Sequence, residues 1–401
     1  MNNTIKLAVA AALLAGASSA NAGIMIPAGD WTLDIGGIVN AYYTHTNFSG
    51  DGGTAPLGLG DGNADSTANI TTGLLPNYLS VSGKTRQNDL DVGFTISINP
   101  GASTTSAGKQ GSHQENRQAF LTFGDKSWGS IKLGKDLGIY ASDAILNDMT
   151  LLGVGSGAGS LAGNTTTLGR IGTGFMYADW KSQVAYSSPN WNGFSFTAGV
   201  TQAWNTFPFV AASAGSSERG GSSPAFEGKA SYEWAGDFGG KVWASGISQK
   251  VKFSAPIGDD RATAWDLGAT VNVAGFGLTG YYGQGNGIGQ TLQLADGFDT
   301  SGNDRDSDQW YVQGTYTIPG AGTKLGLSYG ESTLDGNGGT ADTFSDIQDR
   351  MWTVGAYHPI TKHLNLVAEY SDVKHEVNNK GALADTDGKS KTISLGAILF
   401  F

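Results

Sequence analysis

Apolar and polar residues alternate with a period of two along most of this chain. In Leu364-Asn365-Leu366-Val367-Ala368-Glu369-Tyr370-Ser371 the even positions are apolar and the odd ones mostly polar. Trp310 to Thr317 repeats that phase, Ala264 to Val273 reverses it, and Phe194 to Thr201 is a further clear case. Successive side chains of a strand point to opposite faces, so alternation over eight to ten residues marks strands with a different solvent on each face. The pattern predicts about sixteen strands, an even number as bacterial membrane barrels require. Their spans are 31–47, 77–85, 88–99, 115–124, 129–136, 181–188, 193–203, 225–235, 239–250, 262–273, 276–284, 307–318, 322–331, 348–358, 362–373 and 389–401.

The connections sort by parity. Short ones fall at Arg86-Gln87, 125–128, 189–192, 236–238, Ala274-Gly275, 319–321 and 359–361. Long ones fall at 48–76, 100–114, 137–180, 204–224, 251–261, 285–306, 332–347 and 374–388. A soluble sandwich has no reason to alternate its loops in this way. A transmembrane β-barrel inserted from one side does, with short turns on the inner rim, long loops outside and both termini inside. Trp31, Trp128, Trp191 and Trp234 sit beside the expected inner turns, and Trp204 and Trp352 near the opposite strand ends, as interfacial aromatic girdles require.

The N-terminus carries an export signal. Lys6 is followed by the apolar run Leu7 to Gly16 and a small-residue stretch ending Ala20-Asn21-Ala22, so cleavage is expected after Ala22 and residues 23–401 form one barrel domain. The apolar run is too short to span a bilayer, and no second one exists. With 15% of residues charged, composition alone would suggest a soluble protein, but a barrel with a water-filled lumen gives the same average because half of each strand faces water. The 62 glycines against 10 prolines suit many strands and turns and show no three-residue period. Absence of cysteine excludes a disulfide scaffold and thiolate metal sites. A formal charge of -11 argues against nucleic acid as a partner.

Three segments carry a family resemblance. The last strand, Thr392 to Phe401, alternates and ends in a C-terminal phenylalanine. It resembles the signal by which Gram-negative outer-membrane assembly machinery recognises its clients, with Phe401 as the terminal residue. Arg117-Gln118-Ala119-Phe120-Leu121-Thr122-Phe123-Gly124, a short turn, and Gly129-Ser130-Ile131-Lys132-Leu133-Gly134-Lys135 are similar to the segment before the third loop of Gram-negative general porins. Tyr186-Ser187-Ser188-Pro189-Asn190-Trp191-Asn192-Gly193-Phe194 is similar to the hairpin after it. The resemblance implies a trimeric, sixteen-stranded outer-membrane porin: an all-β barrel in lipid and lipopolysaccharide, without a cofactor, passing small hydrophilic solutes and ions by passive diffusion.

It also implies that loop 137–180 folds into the lumen as a constriction, with acidic loop groups facing basic wall groups. The loop offers Asp143 and Asp148, with Asp136 at its start and Arg170 near its end. The wall offers Arg117 by motif position and Lys132, whose apolar neighbours Ile131 and Leu133 place it inward. Opposed charges would set a transverse field that keeps charged solutes solvated and disfavours apolar ones. At a position where the family often has arginine, this chain has Tyr78, and the loop lacks the family's Pro-Glu-Phe-Gly-Gly-Asp tip.

Other chemistry is thinly represented. His45, His113, His358, His363 and His375 form no His-Glu-x-x-His pattern, and no serine–base arrangement stands out, so a barrel enzyme is the weaker alternative. A substrate-selective channel for a sugar or an organic acid is the nearer one. Tyr42, Tyr311 and Trp243 are candidate lumen aromatics for it, without a regular ladder. Asp299, Asp304, Asp306 and Asp308 are oxygen-rich enough for calcium but lack EF-hand spacing, so a solvated external loop is the default. The acidic outer loops, including Asp335, Asp342, Asp346, Asp349, Asp385 and Asp387, suggest a mild cation preference, limited by screening.

Overall fold

A computed structural model describes residues 23–50, 65–104, 114–156 and 166–401. The expected leader 1–22 and its cleavage point, and His113, lie outside the described residues. Sixteen strands run antiparallel in chain order: β1 (Trp31–Gly50), β2 (Tyr78–Gln87), β3 (Leu90–Pro100), β4 (Ala119–Asp125), β5 (Gly129–Leu137), β6 (Trp180–Ser187), β7 (Phe194–Thr201), β8 (Ala225–Trp234), β9 (Phe238–Lys252), β10 (Asp259–Val273), β11 (Phe276–Asn286), β12 (Asp306–Thr317), β13 (Lys324–Asp335), β14 (Phe344–Pro359), β15 (Leu364–Asn379) and β16 (Thr386–Phe400). Each pairs with its sequence neighbours, and β16 pairs with β1 from Gly388↔Gly50 to Phe400↔Ile38, closing the ring. Closure removes the free edges that lipid cannot hydrogen-bond.

The outer face is apolar and the inner face polar. In β10, Trp265 and Leu267 are 45% and 49% exposed while Asp266 between them is 1% exposed. Water would reverse that order. Val39, Tyr43, Leu121, Phe226, Leu278, Leu327, Val354 and Leu395 are exposed on the same outer surface, so hydrocarbon is the medium it fits.

Three short pieces extend the expected set. Ile24–Ala28 folds back on β1, covering the stretch Trp31–Ile35 that lies below the end of β16. Ser66–Thr71 pairs with the opposite end of β1, and Gln114–Glu115 with Pro100 and Asn99. The expected strand 115–124 is interrupted, because residues 116–118 leave the ladder and Gln118 bonds to Ser97 instead.

Two expectations about the connections change. The first tight turn is Asn88-Asp89 rather than Arg86-Gln87. Both residues have positive φ, 48° and 63°, the conformation of a two-residue hairpin whose twist matches the strands. Arg86 instead stays in β2 and reaches Asp91 and Asp125, 2.9 Å from each. Loop length also does not alternate without exception. β9–β10 and β15–β16 continue outward, so their connections shrink to 253–258 and 380–385.

Trp128 and Trp191 are exposed beside inner turns, and Trp352 is exposed on the lipid face. Trp204 differs from its expected girdle role. It lies partly buried against an inner cluster, with the Lys181 ammonium 4.5 Å from its ring centre.

Candidate functional site

The third loop, 138–179, lies against the inner wall. A helix (Ser142–Asn147) and a 3-10 turn (Met149–Leu152) form its described middle. Its apolar residues Ala144, Ile145, Met149, Leu151 and Phe175 pack with wall residues Tyr42, Trp243, Tyr281, Tyr311 and Tyr357. Phe175 stands edge-on to Tyr311 at 5.8 Å, and Tyr281 stacks on Tyr311 at 5.5 Å. The three candidate lumen aromatics thus all face inward, but they are buried under the loop rather than lining a water path.

Polar anchors fix the loop on strands around the ring. Glu227 of β8 accepts from the Ile139 and Tyr140 N–H groups, both at 2.9 Å, and is paired at 2.5 Å with Lys181 of β6. Tyr311 donates to the Ala144 carbonyl, and Gln313 accepts from the Met149 N–H. Glu369 of β15 accepts from the Val154 and Gly155 N–H groups at 2.7 and 2.9 Å and from the Tyr357 hydroxyl. That approach needs glycine, since a Cβ on Gly153 would stand 2.1 Å from Glu369 Oε1.

The expected constriction residues take different places. Asp143 meets the wall through lysines that sequence reasoning missed: Lys241 at 2.6 Å and Lys229 at 3.1 Å, on β9 and β8. Burial would raise the Asp143 carboxyl, but the two ammonium groups win and hold it below the usual carboxylate range. Asp143 is 3% exposed and its lysines 28% and 20%, so the ammonium groups are the more exposed partners of this cluster. Lys241 also pairs with the more exposed Glu233 at 3.0 Å.

Asp148 makes no ion pair with a wall cation among the described residues, although the Lys324 ammonium of β13 lies near enough to favour its charged form. It caps the 3-10 turn, accepting from the Thr150 N–H at 3.0 Å, and burial pushes its carboxyl up against the pull of Arg170 and Thr150. Arg170 is fully buried and donates to the carbonyls of Thr173 and of Met351 in β14. Lys132 points inward and pairs with Asp136 on its own strand, while Gln118 donates to the same carboxylate. Arg117 pairs with Glu115 at 2.6 Å, reaches Thr166 of the loop and lies over the Trp180 ring. Tyr78 packs against the apolar cluster beneath the loop.

Outer loops are tied to one another. Arg305 is fully buried, pairs with Asp342 and donates to the carbonyls of Ala212 and Asp296. It thereby joins loops 202–224, 287–305 and 336–343. Asp299 accepts from Asn303 and Asn337, while Asp304 and Asp306 are exposed and Asp308 lies on the outer side of β12. No three acidic or histidine side chains converge on a metal-sized point among the described residues. At the C-terminus, Phe401 exchanges backbone hydrogen bonds with Gly37, at 2.8 and 3.0 Å.

A closed barrel with an apolar outer face, a polar inner one and a loop anchored across the interior defines a membrane channel. The chain belongs to the Gram-negative porin family, whose model matches residues 8–378. Solved relatives share the fold at low identity. The outer-membrane channel DcaP of Acinetobacter baumannii has a TM-score of 0.65 and 18% identity, covering 95% of this chain and 100% of that one. The anion-selective porin of Comamonas acidovorans has 0.60 and 15%, covering 92% and 100%. OmpF of Salmonella typhi, in complex with daunomycin, has 0.56 and 17%, covering 93% and 100%. No curated protein sequence matches. The chain is thus an outer-membrane channel of sixteen strands.

Proposed function

We propose that this channel passes small hydrophilic solutes and ions by passive diffusion, without a cofactor, as a homotrimer exported through a leader cleaved after Ala22. The carrying observation is the third loop, which charged and polar contacts anchor to wall strands on the inner face. A form of the related Vibrio cholerae OmpT is described as a trimer, and its fold matches with a TM-score of 0.54 and 16% identity over 92% of this chain and 99% of that one. Residues 143, 229 and 241 form the main constriction charges, with Lys132 and Asp136 beside the neighbouring wall.

Selectivity is mild and favours cations. At the outer mouth Asp304 and Asp306 are exposed, and burial together with repulsion from Asp260 and Asp306 holds the Asp304 carboxyl above its ordinary range. At the neck, the lysine tips over Asp143 oppose that preference and keep it small. A channel rather than an enzyme is the reading that family and fold support. The buried state of Tyr281 and Tyr311 weighs against an aromatic sugar path.

Single-channel recording of the refolded mature protein under a KCl gradient tests this. Ohmic conductance in steps of three with a cation-shifted reversal potential is expected. Absence of conductance would overturn the diffusion-pore reading, and an anion shift would overturn only the charge preference.

A further inference from the structure

The long connection 287–305 between β11 and β12 does not stand out from the rim. Every residue from 287 to 299 except Leu292 is buried, where a connecting loop is ordinarily exposed. Ile288, Leu294 and Phe298 share one apolar cluster with Tyr140 and Met176 of the third loop and Val251 of β9. Asp296 is the sole charged side chain between 287 and 298, and it accepts from the Phe209 and Val210 N–H groups at 2.8 and 2.6 Å.

The inner side of this segment lies on the third loop. The Tyr177 N–H donates to the Thr291 carbonyl at 3.0 Å. The Gln293 amide donates to the Tyr177 and Ala178 carbonyls at 3.0 and 3.2 Å. The approach is so close that a Cβ on Gly172 would stand 2.5 Å from Thr291 Oγ1. Both arms of the third loop are thus covered, Tyr140 at its start and 172–178 at its return.

A second set of bonds ties the segment to the wall. Gln309, Ser332, Asp349 and His375 form one row of cross-strand partners on β12 to β15. The Gln290 amide donates to Asp349 at 2.5 Å and to the Ser332 carbonyl at 3.1 Å. The other Asp349 oxygen lies 2.7 Å from His375 Nδ1. Ser332 Oγ in turn accepts from the Gly174 N–H of the third loop at 2.9 Å. One serine of the row therefore holds both loops. A buried hydrogen bond to a carboxylate is charge-assisted and costly to lose.

We propose that segment 287–299 is a strap that clamps the third loop, so that two loops together set the width of the pore. Gln290 and Gln293 are its positioning residues and act through the third loop. They are uncharged and buried, so releasing the strap changes size selection and leaves ion preference in place. The inference rests on the diffusion-pore reading, in which the third loop bounds the path.

Gln290→Glu tests it without a change of volume. It replaces a donor with a second carboxylate facing Asp349 and releases the strap from the wall. Gln293→Glu does the same at the third loop and carries the test where the first variant does not fold. Gln290→Glu with Asp349→Asn restores a donor and an acceptor at the wall contact. Each refolded protein is checked for heat-modifiable mobility. Hydrogen exchange over 138–179 and 287–299 and liposome swelling with arabinose and with raffinose are then measured. Both single variants are expected to exchange about tenfold or more faster at 171–178. They should admit raffinose severalfold faster, with arabinose little changed, and the double variant should return to wild-type behaviour. Wild-type raffinose entry in both folded single variants would overturn the proposal. So would a double variant as loose as Gln290→Glu alone, or exchange that rises at 287–299 and not at 171–178. A wild type that passes neither sugar would sink the pore reading, while the coupled exchange still decides the strap.

Discussion

Asp143 Oδ1 lies 2.6 Å from the Lys241 ammonium, so the helix of the third loop is clamped to a strand of the opposing wall. The same carboxylate holds Lys229 at 3.1 Å. Replacing Asp143 with asparagine keeps the shape and leaves two ammonium groups facing solute. The reversal potential under a KCl gradient should move toward anions. Loop docking should weaken by about 1–3 kcal/mol, visible as noisier or larger single-channel steps. An unchanged reversal potential would show that these lysines do not line the ion path.

Glu369→Gln tests the other end of the loop. Glutamine keeps an acceptor oxygen but loses the charge that three donors share. Charge-assisted hydrogen bonds contribute about 1.5–3 kcal/mol. Limited proteolysis should therefore cut the loop faster while the heat-resistant barrel persists. Loss of the whole barrel instead would mean that Glu369 supports the wall itself.

Acidification should act in two stages. Asp304 holds its proton above the ordinary carboxylate range, so the mouth loses charge first and cation preference fades early as pH falls. Asp143 is depressed, so its contribution is present above the ordinary aspartate value of about 3.9 and is lost only as pH falls through its own lower value. Conductance and reversal potential recorded from pH 7 to 3 should show the selectivity change before any change in step size. Simultaneous change would contradict this order.

Arg305 is the tie between three outer loops. Arg305→Met alone strands the buried Asp342 carboxylate and should cost about 3–5 kcal/mol of loop stability. Arg305→Met with Asp342→Leu should cost clearly less, because no buried charge is left alone. Hydrogen exchange over 202–224, 287–305 and 336–343 measures both. Equal effects of the single and double variants would mean that the backbone carbonyl bonds, not the ion pair, hold the loops.

The barrel was legible because its signal is repeated in every strand. Alternation and terminal Phe401 pointed to the closed ring, and strand boundaries mostly moved by a few residues. Arg117, Lys132 and Asp136 were named from the motif, but each makes an ion pair with a chain neighbour, Arg117 with Glu115 and Lys132 with Asp136, since a motif fixes a position and not a contact. Lys229 and Lys241 were missed although the alternation of Phe226, Gly228, Ala230 and Tyr232 already turned Lys229 inward. What the sequence did not carry was the path of the third loop. Its docking depends on pairings such as Gly155 with Glu369, far apart in the chain and without a periodic trace.

Because β16 is the partner of β1, the first strand waits for the last. Until Thr386–Phe400 arrives, the outer edge of Trp31–Gly50 has nothing to bond except its own short N-terminal fold-back. No partial chain can present a finished surface to hydrocarbon, however many strands it holds. Synthesis order and insertion order are therefore uncoupled: a complete polypeptide must be kept from pairing prematurely, and commitment to the bilayer comes as a single late event. Stop codons near the 3′ end should accordingly be as damaging as early ones.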